Sequence, residues 1–186
     1  MVNMLDQLQL PMVNFCGLSL GGMVGMWLAQ NATERVERLI VSNTAAKTED
    51  PSLLRNRIRK IEENGLGAIV ENVLERWFTN AFREQNSTRV SEFRTMLEAT
   101  SDRSYAATSR AVCELNLTVG LPDIIHPTLV IYGTHDSATP PASNLAIAKA
   151  IRGAKSVALP SAHLSNVEAA AEFNRVVMHF MSDSAQ

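Results

Sequence analysis

Three side chains in this sequence are of the types that make a hydroxyl into a nucleophile. Ser19 lies in Gly17-Leu18-Ser19-Leu20-Gly21, a G-x-S-x-G pattern that holds a serine on a tight turn between a strand and a helix. A serine hydroxyl attacks a carbonyl only when a base takes its proton, and the base needs a third group to fix its tautomer. Asp136 follows the run Tyr132-Gly133-Thr134-His135, and His163 lies in Ser161-Ala162-His163-Leu164-Ser165-Asn166. The order Ser, Asp, His, each after a strand-like run, is one of the known chain orders of an acyl-transfer triad. Leu20, directly after the serine, is placed to offer its backbone N–H to an oxyanion at the start of the following helix. The other histidines fit less well: His135 adjoins Asp136 but its side chain diverges from it, His126 reads as a strand-entry residue, and His179 falls in the last helix. Asp123 precedes a strand and so lies at the wrong edge for chemistry.

These residues need a parallel sheet to bring them to one edge. Met12 to Cys16 has the length of a strand, Gly22 to Ala29 reads as the following helix, and Arg38 to Asn43 as a second strand. The two motif glycines are expected to let backbone and helix pack closely around Ser19. Pro127 to Gly133 and Ser156 to Pro160 read as further strands, with helices over Ser143–Ile151 and Asn166–Met181. Between Pro51 and Pro122 the β-branched runs stop and helical periodicity takes over, with helices expected at Leu53–Asn64, Leu66–Trp77, Ser87–Ala99 and Arg103–Leu115. The expectation is therefore an α/β fold, mostly parallel, with core segments at 1–50 and 123–186 and a helical lid at 51–122. Met1 to Leu10 reads as the tail of an amphipathic helix with no first turn before it, so the N-terminal strands of such a fold are expected to be absent.

Bulk composition narrows the partners. The net charge of −2 and the lack of a basic stripe argue against nucleic acid. No apolar run reaches the ~18 residues of a membrane span, and no signal peptide is evident, so no membrane partner is expected. Cys16 and Cys113 are too few for a disulfide framework and read as small core residues in a reducing, cytoplasmic setting. No metal-ligand spacing, phosphate loop or dinucleotide fingerprint is present, so no metal or organic cofactor is expected. In the helical segment, Trp77, Phe78 and Phe82 recur at near-helical spacing with Arg76 and Arg83 nearby. The aromatics either pack the segment or, in the case of Trp77, line a pocket for an acidic substrate with one of Arg76, Arg83, Arg103 or Arg110.

With these residues in place, the sequence resembles the 3-oxoadipate enol-lactonases of the α/β-hydrolase superfamily. The resemblance runs through Cys16–Gly25, Glu34–Leu39, Ser42-Asn43-Thr44-Ala45, Glu75-Arg76-Trp77-Phe78-Thr79, Tyr132–Asp136 and Ala162–Glu168. It implies opening of a small acidic lactone to 3-oxoadipate, a step of aromatic-compound breakdown, with Ser19 as nucleophile, His163 as base and Asp136 as its orienting partner. Members of this group carry strands and a His-Gly loop before the elbow, and the loop supplies a second oxyanion N–H. The chain thus resembles the C-terminal portion of such an enzyme, which would call for a complementing N-terminal segment or a homo-oligomer. A related esterase, a cofactor-free haloperoxidase-like enzyme and a truncated non-catalytic fragment are the alternatives.

Overall fold

The computed structural model describes residues 1–183 and divides into two compact units, Met1–Ala46 with Leu117–Gln186, and Lys47–Asn116. The first unit is built on four parallel strands in the order β1-β2-β3-β4: β1 (Val13–Leu18), β2 (Val36–Ser42), β3 (Thr128–Gly133) and β4 (Lys155–Leu159). Chain order and spatial order coincide, so each connection carries the chain to the neighbouring strand. The strand ends that precede helices therefore gather at one edge.

The helices of this unit follow from the residues that face the sheet. A short helix, α1 (Val2–Gln7), buries Leu5 and is tied down by Arg35, which donates to Asp6, to Leu10 O and to Pro11 O at 2.7–2.9 Å. Helix α2 (Leu20–Asn31) lies on one face, where a Cβ on Gly25 would stand 2.7 Å from Phe15 and 3.0 Å from Leu39. On the opposite face Ile40, Leu129, Ile131 and Leu159 pack against Phe173, Val176 and Phe180 of the last helix. That apolar layer spans β2 to β4 and does not reach β1. Cys16, whose register partner is Ile40, is consequently exposed rather than a core residue; Cys113 is half-buried.

Several element boundaries depart from the sequence expectation. The C-terminal helix is interrupted at Ala169 (φ −119°, ψ 44°), giving α9 (Ser165–Glu168) and α10 (Ala170–Ser182). No Gly or Pro marks the break, which lets Glu168 turn back to accept from the Ala162 N–H at 3.0 Å. The first strand extends to Leu18 and α2 begins at Leu20, so the turn between them is reduced to Ser19. Helix α8 (Pro141–Ala150) starts two residues earlier than expected because Pro141 suits the first helical position.

The second unit is helical throughout: α3 (Pro51–Asn64), α4 (Val70–Trp77), α5 (Asn80–Gln85), α6 (Ser87–Glu98) and α7 (Asp102–Glu114). Asp50 caps α3 and Ser101 caps α7, and α3 packs along α7. The helix expected over Leu66–Trp77 is divided: Leu66–Ile69 forms a 3₁₀ turn and only Val70–Trp77 is α-helical. Gly65, at φ +77°, reverses the chain there, and Asp102 accepts from the Leu66 N–H at 2.8 Å. Helix α5 was not expected; Thr79 starts it by accepting from the Phe82 N–H. Among the described residues no helix is long and apolar enough to cross a membrane.

The close packing around Ser19 depends on Gly17 and Gly22 rather than on both motif glycines. A Cβ on Gly17 would stand 2.2 Å from the Gly21 carbonyl oxygen, and one on Gly22 would stand 2.8 Å from Thr44, whereas Gly21 faces open space. Gly17→Ala is therefore expected to lower the unfolding free energy by about 1–3 kcal/mol. Gly21→Ala should be neutral or stabilising by up to about 1 kcal/mol through helix propensity. Denaturant titration of the two variants checks the contrast.

Candidate active site

The turn at Ser19 is built by a backbone that few residues adopt. Ser19 sits at φ 55° and ψ −116°, between the end of β1 and the first residue of α2. Its N–H donates to Ser42 O at 2.9 Å, and its carbonyl accepts from Thr44 Oγ1 at 2.7 Å and from the Met23 N–H at 3.1 Å. Three bonds thus hold a strained residue in place, in a region where strain persists only when neighbours over-determine it. Leu20 is the first helical residue, and its N–H has no partner within the helix. That N–H and the positive end of the α2 dipole lie next to Ser19.

Asp136 and His163 are joined directly. His163 Nδ1 lies 2.9 Å from Asp136 Oδ2, with both residues buried at 4% and 3% exposure. A carboxylate accepts only, so Nδ1 donates to it, and in the neutral imidazole the lone pair then lies on Nε2. Asp136 also accepts from the Ala138 N–H (2.7 Å), the Thr139 N–H (3.0 Å), Thr139 Oγ1 (2.7 Å) and Asn43 Nδ2 (3.0 Å). Burial alone pushes its carboxyl up. The hydrogen bond and charge of His163, with the donors from Asn43 and Thr139, outweigh that and hold it below the ordinary carboxylate range.

The two loops are packed into one another by Gly133, where a Cβ would stand 2.2 Å from the Ala162 carbonyl oxygen. The His135 N–H donates to Ser161 O and the Thr134 N–H to Leu159 O, which fastens the acid loop to the histidine loop. Among the described residues no direct hydrogen bond joins Ser19 Oγ to His163; the serine is connected to the pair through the segment that follows β2. Apo sites often show such contacts only once substrate is bound.

Among the described residues, none of the other three histidines is hydrogen-bonded to Asp136 or His163. His135 is exposed and its Nδ1 lies 3.0 Å from Thr134 Oγ1, and His179 is exposed on α10. His126 is half-buried before β3, and burial lowers its basicity. Trp77 belongs to the helical unit, half-buried and edge-on to Phe93 at 6.3 Å, while Phe78 stacks on Phe82 at 5.1 Å. Arg83 pairs with Glu75 and Arg110 with Glu62. Sequence reasoning assigned no site role to Asn43, Thr44, Thr139 or Asn144. Thr139 was readable in principle, as the fourth residue of a turn begun by Asp136; nothing in the pattern singles out the others.

Comparison with known proteins identifies the fold family. Residues 1–170 match the family described as the alpha/beta hydrolase fold. The chain belongs to that family. It is 35% identical over 176 residues to 3-oxoadipate enol-lactonase 2 of Acinetobacter baylyi, covering 95% of this chain and 66% of that protein. The crystal structure of the enol-lactonase from Burkholderia xenovorans LB400 superposes with a TM-score of 0.96 at 36% identity, covering 98% of this chain and 70% of the other. A thermophilic esterase from Thermogutta terrifontis is similar at a TM-score of 0.88 and 25% identity, covering 96% and 68%. The chain thus spans about two-thirds of the length of these proteins.

The state of Asp136 has a measurable consequence for stability. Its folded value lies below that of the unfolded chain, near 3.9, so its ionised form contributes stability above that pH and loses it as pH falls through the folded value. The stability difference between wild type and Asp136→Asn should therefore narrow below about pH 4 in urea titrations. A difference that stays constant from pH 5 to pH 2 contradicts this assignment.

Proposed function

We propose that this chain is a carboxylic-ester hydrolase whose substrate is a small acidic lactone, 3-oxoadipate enol-lactone, in aromatic-compound catabolism. The observation that carries the reading is the buried Asp136–His163 hydrogen bond at 2.9 Å in a sheet edge that also presents Ser19 at a strained elbow. The substrate class is supported by the similarity to the two enol-lactonases. The two free cysteines suit a reducing, cytoplasmic setting.

In this reading His163 Nε2 takes the Ser19 hydroxyl proton as Oγ attacks the lactone carbonyl. The oxyanion of the tetrahedral intermediate is met by the Leu20 N–H. The ring C–O bond breaks, the enol oxygen takes the proton from His163, and the ring carbonyl remains on Ser19 as an ester. Water then gives a proton to His163 and its oxygen to the acyl carbon. Collapse of the second intermediate returns the proton to Ser19 and releases the acid. The enol tautomerises to a ketone, which draws ring opening forward. Asp136 stays ionised throughout and stabilises the imidazolium. No step requires a cofactor. Trp77 is assigned to substrate recognition on the resemblance that runs through Glu75–Thr79.

A related esterase is the second reading, favoured by the similarity to the Thermogutta enzyme. Hydrolysis of freshly generated 3-oxoadipate enol-lactone, compared with simple esters, separates the two. Ser19→Ala is expected to lower the rate by about four orders of magnitude or more, and Trp77→Ala to raise KM for the lactone. Lactone turnover that survives Ser19→Ala contradicts the nucleophile, and an unchanged KM in Trp77→Ala removes Trp77 from recognition.

A further inference from the structure

The last residue of β2 and the two that follow it touch both the Ser19 turn and the Asp136–His163 pair, yet none of them has a role in the chemistry above. The Ser42 carbonyl accepts from the Ser19 N–H at 2.9 Å, and Thr44 Oγ1 donates to the Ser19 carbonyl at 2.7 Å. The Thr44 N–H donates to Asn144 Oδ1 at 3.0 Å, and Asn144 Nδ2 in turn donates to Thr139 O at 3.1 Å, in the acid loop. Between them Asn43 donates from Nδ2 to Asp136 Oδ2 at 3.0 Å and to Ala162 O, directly before His163, at 3.1 Å. Its Oδ1 accepts from Ser42 Oγ at 2.8 Å and from Ser165 Oγ. Ser42, Asn43, Thr44, Asn144 and Ser165 are all completely buried. Asn43 sits at φ 45°, a left-handed conformation that asparagine tolerates better than most residues.

We propose that Asn43 is a positioning residue, its carboxamide clamping the Asp136 carboxylate and the backbone before His163 so that acid and base meet in one fixed orientation. This inference rests on the hydrolase reading for its purpose, but not for its test. The carboxamide is itself fixed, because Ser42 and Ser165 donate to its oxygen and so settle which end faces Asp136. Both of its N–H donors are used, one on the acid and one on the histidine loop. A carboxylate in place of the amide would present an acceptor to an acceptor, so the site demands a donor here. The charged partner in contact with Asp136 is His163; His135 is turned to Thr134.

The test is carbon NMR of the Asp136 carboxyl across pH, with Asp136→Asn to assign the signal. Asn43→Gly suits the left-handed backbone and removes the clamp. Loss of a donor to the ionised form should move the Asp136 titration up by about one pH unit. A residue that merely packs the end of β2 would lower the melting temperature and leave that titration in place, and this result overturns the proposal. If Asn43→Gly does not fold, the wild-type protein decides: the Asn43 side-chain amide protons must shift with the Asp136 titration, and amide signals that ignore it overturn the proposal equally. In lactone hydrolysis the same variant should lose kcat, by about tenfold at least and by no more than the ~10⁴ expected for loss of the acid itself, with KM unchanged. Should wild type fail to open the lactone, the NMR result still stands or falls alone.

Discussion

A charge buried away from water must be matched by donors, and the Asp136 carboxylate imposes that constraint on this fold. Its oxygens receive five donors: two backbone N–H groups and a hydroxyl from its own loop, a carboxamide from the end of β2, and an imidazole from the loop after β4. Leaving a buried ionised carboxylate without such partners costs far more than a neutral group would. The donors lie far apart in sequence and meet only when β2, β3 and β4 are in register. The network is therefore formed only in the assembled sheet, and stability and catalytic geometry depend on the same bonds.

The turn at Ser19 obeys a second, steric constraint. Ser19 is held at positive φ by bonds on both sides of its peptide planes, and the turn closes only because Gly17 leaves room for the Gly21 carbonyl and Gly22 leaves room for Thr44. Thr44 thus acts twice, as the surface against which α2 approaches and as a donor to the Ser19 carbonyl. The result is a helix N-terminus whose first N–H and dipole begin directly after the Ser19 hydroxyl.

Much of this was legible in the amino-acid sequence because the chemistry falls at strand ends. Apolar runs followed by Ser19, Asp136 and His163 declare a parallel sheet with a loop after each strand, and the structure has all three at strand ends with Asp136 bonded to His163. What escaped was set by tertiary contacts. Cys16 has an apolar neighbourhood in sequence but lies on a strand that the α10 layer does not reach. Gly21 fits the pattern, yet the close contact behind it belongs to Gly22. The break at Ala169 has no local signal, being tied to Glu168 and its bond to Ala162. Asn43 was visible only as part of a resemblance, since an asparagine after a strand reads as an ordinary turn residue until Asp136 and His163 are folded against it.

The central claim is that the buried pair and the elbow together activate Ser19. The most direct measurement is reaction of the folded protein with a fluorophosphonate, followed by peptide mapping of the adduct. A single adduct on Ser19, formed rapidly in wild type and much more slowly in Asp136→Asn, is the result the structure predicts. No adduct, an adduct on another serine such as Ser161 or Ser165, or labelling of Ser19 indifferent to Asp136, would contradict it.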